Sequence, residues 1–216
     1  MTHTVATPIP FVPRTKLRPP RLPDDLLRRP RLIEKLQRPQ TLSLVIAPAG
    51  YGKTALVSTW LAQCGFPYAW LSLEPDDNTP TAFLTGFVTA LDRLAPSLAD
   101  ELLQLLQEPK EEMTLLPVLP ILLNTLNEFE DRFVIMLDDF HHVRNPAIHQ
   151  LICGLLEHPP RALQLVLTAR YDPPLPPRLR YRGDATEIRA RELGFTEQEA
   201  QAFLGRFVVE RLLAQA

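Results

Sequence analysis

The sequence predicts an α/β fold: a doubly wound, parallel five-stranded sheet with helices on both faces. Three observations carry this expectation. Apolar runs of strand length alternate with helix-period segments, the pattern of successive βαβ units. Runs such as Leu42-Ser43-Leu44-Val45-Ile46 and Phe133-Val134-Ile135-Met136-Leu137 are nearly continuous, as in strands buried on both faces. The first of them leads through a glycine-bearing turn, Ala47-Pro48-Ala49-Gly50-Tyr51-Gly52, into Lys53-Thr54 and a helical pattern.

The whole chain is consistent with that class. Its 216 residues suit one sizeable α/β unit, with 45% apolar and 22% charged residues. The net charge of −2 gives no global argument for nucleic-acid binding. Residues 1–40 are locally basic, with nine Lys/Arg against three acids. That basic arm reads as a solvated, proline-rich segment packed on the domain. Two cysteines, Cys64 and Cys153, make no disulfide framework and suit a reducing cytoplasm. No apolar run reaches the roughly 18 residues needed to span a bilayer, and the N-terminus lacks the blocks of a signal peptide.

Taken in order, Pro8, Pro10, Pro13, Pro19, Pro20 and Pro23 exclude a helix from the arm. After Pro30, Leu32, Ile33 and Leu36 have helical spacing. Residues 40–47 form the first strand, 53–64 the first crossover helix and 67–73 the second strand. Asp76, Asp77 and Asn78 then read as a solvated turn, or as a border to the metal and base. Thr79-Pro80 is an N-cap with proline at the first helical position. Phe83 and Phe87 continue that helix and, with Trp60 and Trp70, sit at core spacing. Further helical patterns cover 97–107 and 114–128. The third strand, 133–137, ends in Asp138-Asp139, and a helix covers 146–157. The fourth strand, 163–167, ends in Thr168-Ala169-Arg170; 171–177 is a loop and 186–189 a short fifth strand. Thr196 and Glu199 form a capping box at the start of a last helix. The expected organisation is an arm over 1–40, a nucleotide-binding domain over 41–192 and the start of a further helical segment over 193–216.

The chemistry gathers at strand ends. In an open parallel sheet, ligands bind beyond the carboxyl ends of the strands. Gly50 and Gly52 let backbone N–H groups turn inward on an anion, and the helix starting near Lys53 adds its positive end. Pro48, Ala49, Gly50, Tyr51, Gly52, Lys53, Thr54 and Ala55 are thus candidate nucleotide-binding residues of a P-loop. Lys53 reaches the β/γ-phosphates and Thr54 ligates Mg²⁺. The strict pattern begins with glycine where this chain has Ala47, which is small enough to keep the geometry. Asp138 is the second candidate Mg²⁺ anchor. Asp139 is placed to orient or deprotonate the attacking water, and Arg170 to neutralise the γ-phosphate. His149 and Cys153 share a helix face, but no second pair completes a metal site. His141 and His142 form the turn after the acids, with His142 in reach of the phosphates.

Several segments together resemble a known group. They are Ala47 to Thr54, Trp70-Leu71-Ser72-Leu73, Leu137-Asp138-Asp139-Phe140-His141, Leu167-Thr168-Ala169-Arg170 with Asp172 to Pro176, and Leu193-Gly194-Phe195-Thr196. They resemble the nucleotide-binding domain of MalT-like, large LuxR-type transcriptional regulators. These belong to the signal-transduction ATPases with numerous domains (STAND), a branch of the P-loop NTPases. The resemblance covers about residues 12–205. It implies strand order 5-1-4-3-2, an ATP/ADP switch with slow Mg²⁺-dependent hydrolysis, self-association in the ATP state, and an arm packed near the adenine. Family members continue into a winged helix, helical repeats and a DNA-binding helix-turn-helix. This chain ends at Ala216, so the expectation is a truncated regulator without a DNA-binding motif. Three other readings stand beside the ATPase switch: a non-catalytic nucleotide-binding interaction module, a P-loop kinase acting on a small molecule, and DNA binding through the basic arm.

Overall fold

A computed structural model describes residues 12–23, 25–94, 115, 117–180, 183 and 185–213, with side chains described as far as Gly205. The expected helix over 97–107 lies outside the described residues. The strands are β1 (Leu42–Ile46), β2 (Tyr68–Ser72), β3 (Phe133–Asp138), β4 (Leu163–Ala169) and β5 (Ala185–Arg189). All four pairings are parallel, and the order is β2-β3-β4-β1-β5, the expected 5-1-4-3-2 read from the other edge.

Helices cover both faces. They are α1 (Pro30–Gln37), α2 (Lys53–Leu61), α3 (Pro80–Leu91), α4 (Val118–Leu126), α5 (Pro146–Glu157), the short α6 (Pro177–Arg180) and α7 (Ala190–Leu193), and α8 (Glu197–Leu213). Successive strand residues point to opposite faces, so each strand feeds two cores. Leu44, Leu71, Ile135 and Leu165 pack with α3, α4 and α5. Val45, Trp70, Val134 and Val166 pack with α1 and α2. This is why β1, β3 and β4 are buried along their whole length and read as unbroken apolar runs. Trp60, Trp70, Phe83 and Phe87 are all core residues, each at most 1% exposed.

The helix starts follow the expected chemistry. Thr79 accepts the Ala82 N–H ahead of Pro80, and Asn145 accepts the Ala147 N–H ahead of Pro146. Thr196 and Glu199 exchange hydrogen bonds as a capping box, over 3.2 and 2.9 Å. Two details differ from expectation. The arm contains a 3₁₀ turn, Arg14–Leu17, which begins immediately after Pro13. The loop after β4 is shorter, because Pro177 opens α6, a position where proline's missing N–H costs nothing.

Asp76 is exposed, as expected of a solvated turn, but Asp77 and Asn78 are tied into the fold. Asp77 is buried, caps its own 3₁₀ turn through the Glu74 N–H, and is paired with Lys16 of the arm. Asn78 Oδ1 accepts the N–H groups of Arg144 and Asn145, fixing the start of α5. His149 stacks edge-on against Phe140, and no group that could hold a metal forms around it among the described residues.

Candidate functional site

The carboxyl ends of β1, β3 and β4 bring together most of the residues singled out in the sequence. The P-loop follows β1, whose last residue, Ile46, lies opposite Ala169 at the end of β4. Ala47 continues the ladder by donating to the Ala169 carbonyl. Pro48, Ala49, Gly50, Tyr51 and Gly52 are exposed, whereas Lys53 is buried at the first turn of α2. Gly50 and Gly52 have φ of +83° and +77°, and a Cβ on either would face open space. The glycines are therefore required by backbone sign, not by crowding. Gly52 caps α2 without a side-chain bond, so the first N–H groups of α2 have no side-chain acceptor at that position. Lys53 Nζ donates to the Pro48 carbonyl over 3.1 Å, folding back across its own loop. Burial lowers its pKa; Asp139 opposes that, Arg170 adds to it, and Asp138 opposes it.

Asp138 is buried at the end of β3. Its Oδ1 accepts two hydroxyls, from Thr54 over 3.0 Å and from Thr168 over 2.6 Å. Burial nevertheless pushes its pKa up, assisted by Asp139 and resisted by the two threonines and Lys53. The donor set fits Mg²⁺. Thr54 gives its proton to Asp138, which leaves its oxygen lone pairs for a hard cation, and the buried carboxylate lacks a full counter-charge.

Asp139 is the one described non-glycine residue with positive φ, at 55°. Its N–H donates to Thr168 Oγ1 over 2.8 Å, which holds that left-handed turn. Thr168 thus bridges both acids and is a site residue that sequence reasoning passed over. Asp139 has its carboxylate part-exposed, with His141 Nδ1 3.5 Å from Oδ1. His141 lies beside this acid. Arg170 is exposed just past β4, and its charge lowers the pKa of both Lys53 and His141.

Beside the P-loop lies a cleft of about 270 Å³, lined among others by Leu27 and Ile33 of the arm, Gly52, Thr59 of α2, Phe195 and Phe203. Buried Arg29 assembles it. Its guanidinium donates to the carbonyls of Leu193 and Gly194, pairs with Glu199 and lies 5.3 Å from the Phe195 ring centroid. Arg31 also pairs with Glu199. The arm's cations are thus partly spent on this wall and on Asp77.

Comparison with known proteins agrees with the fold. No family model matches the chain. It is 33% identical over 207 residues to the serine/threonine-protein kinase PknK of Mycobacterium tuberculosis, covering 93% of this chain and 19% of that protein. It is also 33% identical over 196 residues to the HTH-type transcriptional regulator MalT of Yersinia enterocolitica, covering 89% and 21%. Among solved structures, a STAND protein with a tetratricopeptide repeat sensor from Pyrococcus horikoshii superposes with TM-score 0.58 at 15% identity, over 85% of this chain and 25% of that one. The ORC1 protein of Aeropyrum pernix gives 0.55 at 15% identity, over 87% and 51%.

The chain is MalT-like over about nine-tenths of its length, with the fold seen in the STAND protein. It spans about a fifth of the length of the curated relatives it matches. The kinase and the HTH-type transcriptional regulator named among them are much longer proteins, and the structural likeness carries the fold alone. No described helix of this MalT-like domain is long and apolar enough to cross a membrane.

Proposed function

We propose that this MalT-like domain is an ATP/ADP switch with slow Mg²⁺-dependent hydrolysis. The observation that carries the proposal is the convergence of buried Lys53, the Thr54–Asp138 hydrogen bond and two left-handed glycines at the free start of α2.

In this reading the loop N–H groups and the positive end of α2 hold the β-phosphate. Lys53 exchanges the Pro48 carbonyl for β/γ-phosphate oxygens, regaining a counter-charge in its buried position. Thr54 and Asp138 would hold Mg²⁺, which would supply charge neutralisation on the phosphate oxygens. Asp139 orients the attacking water, and Arg170 meets charge developing on the γ-phosphate. The apolar cleft between the arm and Phe195 takes the base, with Ile33 and Phe203 as its walls. Self-association in the ATP state would use the exposed mouth of this site.

Titration calorimetry with ADP and with Mg·ATP tests the proposal. Micromolar binding that is lost in Lys53→Ala is expected; unchanged binding in that variant refutes the site. Turnover that is the same in wild type, Asp138→Ala and Asp139→Ala would instead identify a non-catalytic nucleotide-binding module.

A further inference from the structure

We propose that His141 is a positioning residue for Asp139, holding its carboxylate toward the water through an Nδ1–H hydrogen bond. The inference rests on the reading of Asp139 as the water-orienting acid. His141 lies in the 3₁₀ turn that follows Asp139, with its side chain only 6% exposed. Neither ring nitrogen has a hydrogen-bond partner among the described residues. A neutral imidazole carries one N–H, and a buried N–H without an acceptor is rare because burial strips it of water. The acceptor at hand is Asp139 Oδ1, 3.5 Å from Nδ1. That is a few tenths of an ångström longer than a working bond, the kind of gap that closes when a site fills.

The surroundings hold both partners in register. On one side, the Asp139 backbone is fixed by Thr168 and by its left-handed turn. On the other, the Tyr171 hydroxyl donates to the His141 carbonyl over 2.7 Å, and its ring meets the imidazole edge-on at 5.8 Å. The His142 ring lies tilted against the imidazole, with the centroids 4.2 Å apart. Burial lowers the His141 pKa and His142 adds to this; Asp139 opposes it, while Arg170 and Lys53 push the same way. The ring is therefore a neutral donor, and the tautomer that serves Asp139 is Nδ1–H. Tyr171 directly follows Arg170, so the loop that presents the arginine also pins the histidine.

Nitrogen-15 NMR of histidine-labelled full chain without nucleotide reads the tautomer, with the His141 signals assigned from their loss in His141→Asn. The Nδ1–H form is expected, shifting toward a tautomer mixture in Asp139→Ala. In turnover assays, His141→Asn places an amide N–H where Nδ1 was, whereas His141→Gln places it near Nε2. We expect His141→Asn to keep kcat within about threefold, and His141→Gln to lose about tenfold with KM changed less than about twofold, as for a lost positioning contact. An Nε2–H tautomer, or equal kcat in the two variants, overturns the proposal. Wild type that shows the Nδ1–H form yet hydrolyses no ATP would refute the hydrolysis reading and leave the hydrogen bond standing.

Discussion

Replacing Thr168 by valine keeps the shape of a fully buried side chain and deletes both of its hydrogen bonds. The bond to Asp138 has an ionisable acceptor and is worth about 1.5–3 kcal/mol, while an orphaned Asp139 N–H costs about 1–3 kcal/mol. One hydroxyl serves both, so the terms overlap, and we expect a loss of about 2–4 kcal/mol of stability without nucleotide. For a chain of this size, each kcal/mol lowers Tm by roughly 2–4 °C. Trp60 and Trp70 are sealed from water, so their fluorescence reports urea unfolding of the core around β1 to β4. Thr168→Ser should recover stability to within about 1 kcal/mol, because it restores both bonds and loses one methyl group. If Thr168→Val unfolds within about 0.5 kcal/mol of wild type, the bridging role is wrong.

Three further outcomes follow from the same geometry. The folded-state pKa of Asp138 lies above its ordinary 3.8, so its contribution to stability is full below that value and is lost as pH rises through the raised one. Asp138→Asn should therefore raise Tm of the nucleotide-free protein at neutral pH and flatten its pH dependence, while abolishing any Mg²⁺-dependent gain; a lower Tm at neutral pH would count against this. Burial pushes Glu199 up, but its bonds to Arg31, the Thr196 N–H and Arg29 outweigh that and hold it at about 2. Its stabilisation is present above 4.5 and lost as pH falls toward 2, and Glu199→Gln should cost about 2–4 kcal/mol at pH 7 by leaving Arg29 buried without its carboxylate. Finally, Ile33→Lys should weaken ADP binding by more than about tenfold, since a charge then faces the apolar base cleft. Inorganic tripolyphosphate, which uses only the P-loop, should bind both forms alike in titration calorimetry.

The sheet and the P-loop were legible because their causes are local. A strand buried on both faces must be apolar throughout, and a left-handed turn ahead of a helix selects Gly50 and Gly52. The place of Asp138 at the end of β3 was legible for a related reason, since the apolar run of that strand stops there. Thr168 was not, because a threonine in a strand end is indistinguishable from a β-branched core residue until its neighbour across β3 is known. The contact of His141 with Asp139 and Tyr171 was not legible, because Tyr171 lies thirty residues away in the sequence. Asp77 was read as solvated because its partner, Lys16, lies 61 residues earlier in the arm.

The two halves of the candidate site have different physical origins, and this bears on how a switch could work. The phosphate half is anchored in the sheet: Ile46, Asp138 and Ala169 end strands whose side chains fill both cores. Moving them would disturb the packing of the whole domain. The base half is built from segments more than 160 residues apart, the arm near Arg29 and the chain from Glu192 to Glu199, held by carbonyl contacts and the shared carboxylate of Glu199. Charged and polar ties of this kind can be exchanged at far smaller cost than a packed core. Under the proposed function, a ligand that fills the cleft would act on these more exchangeable ties, next to the start of α8.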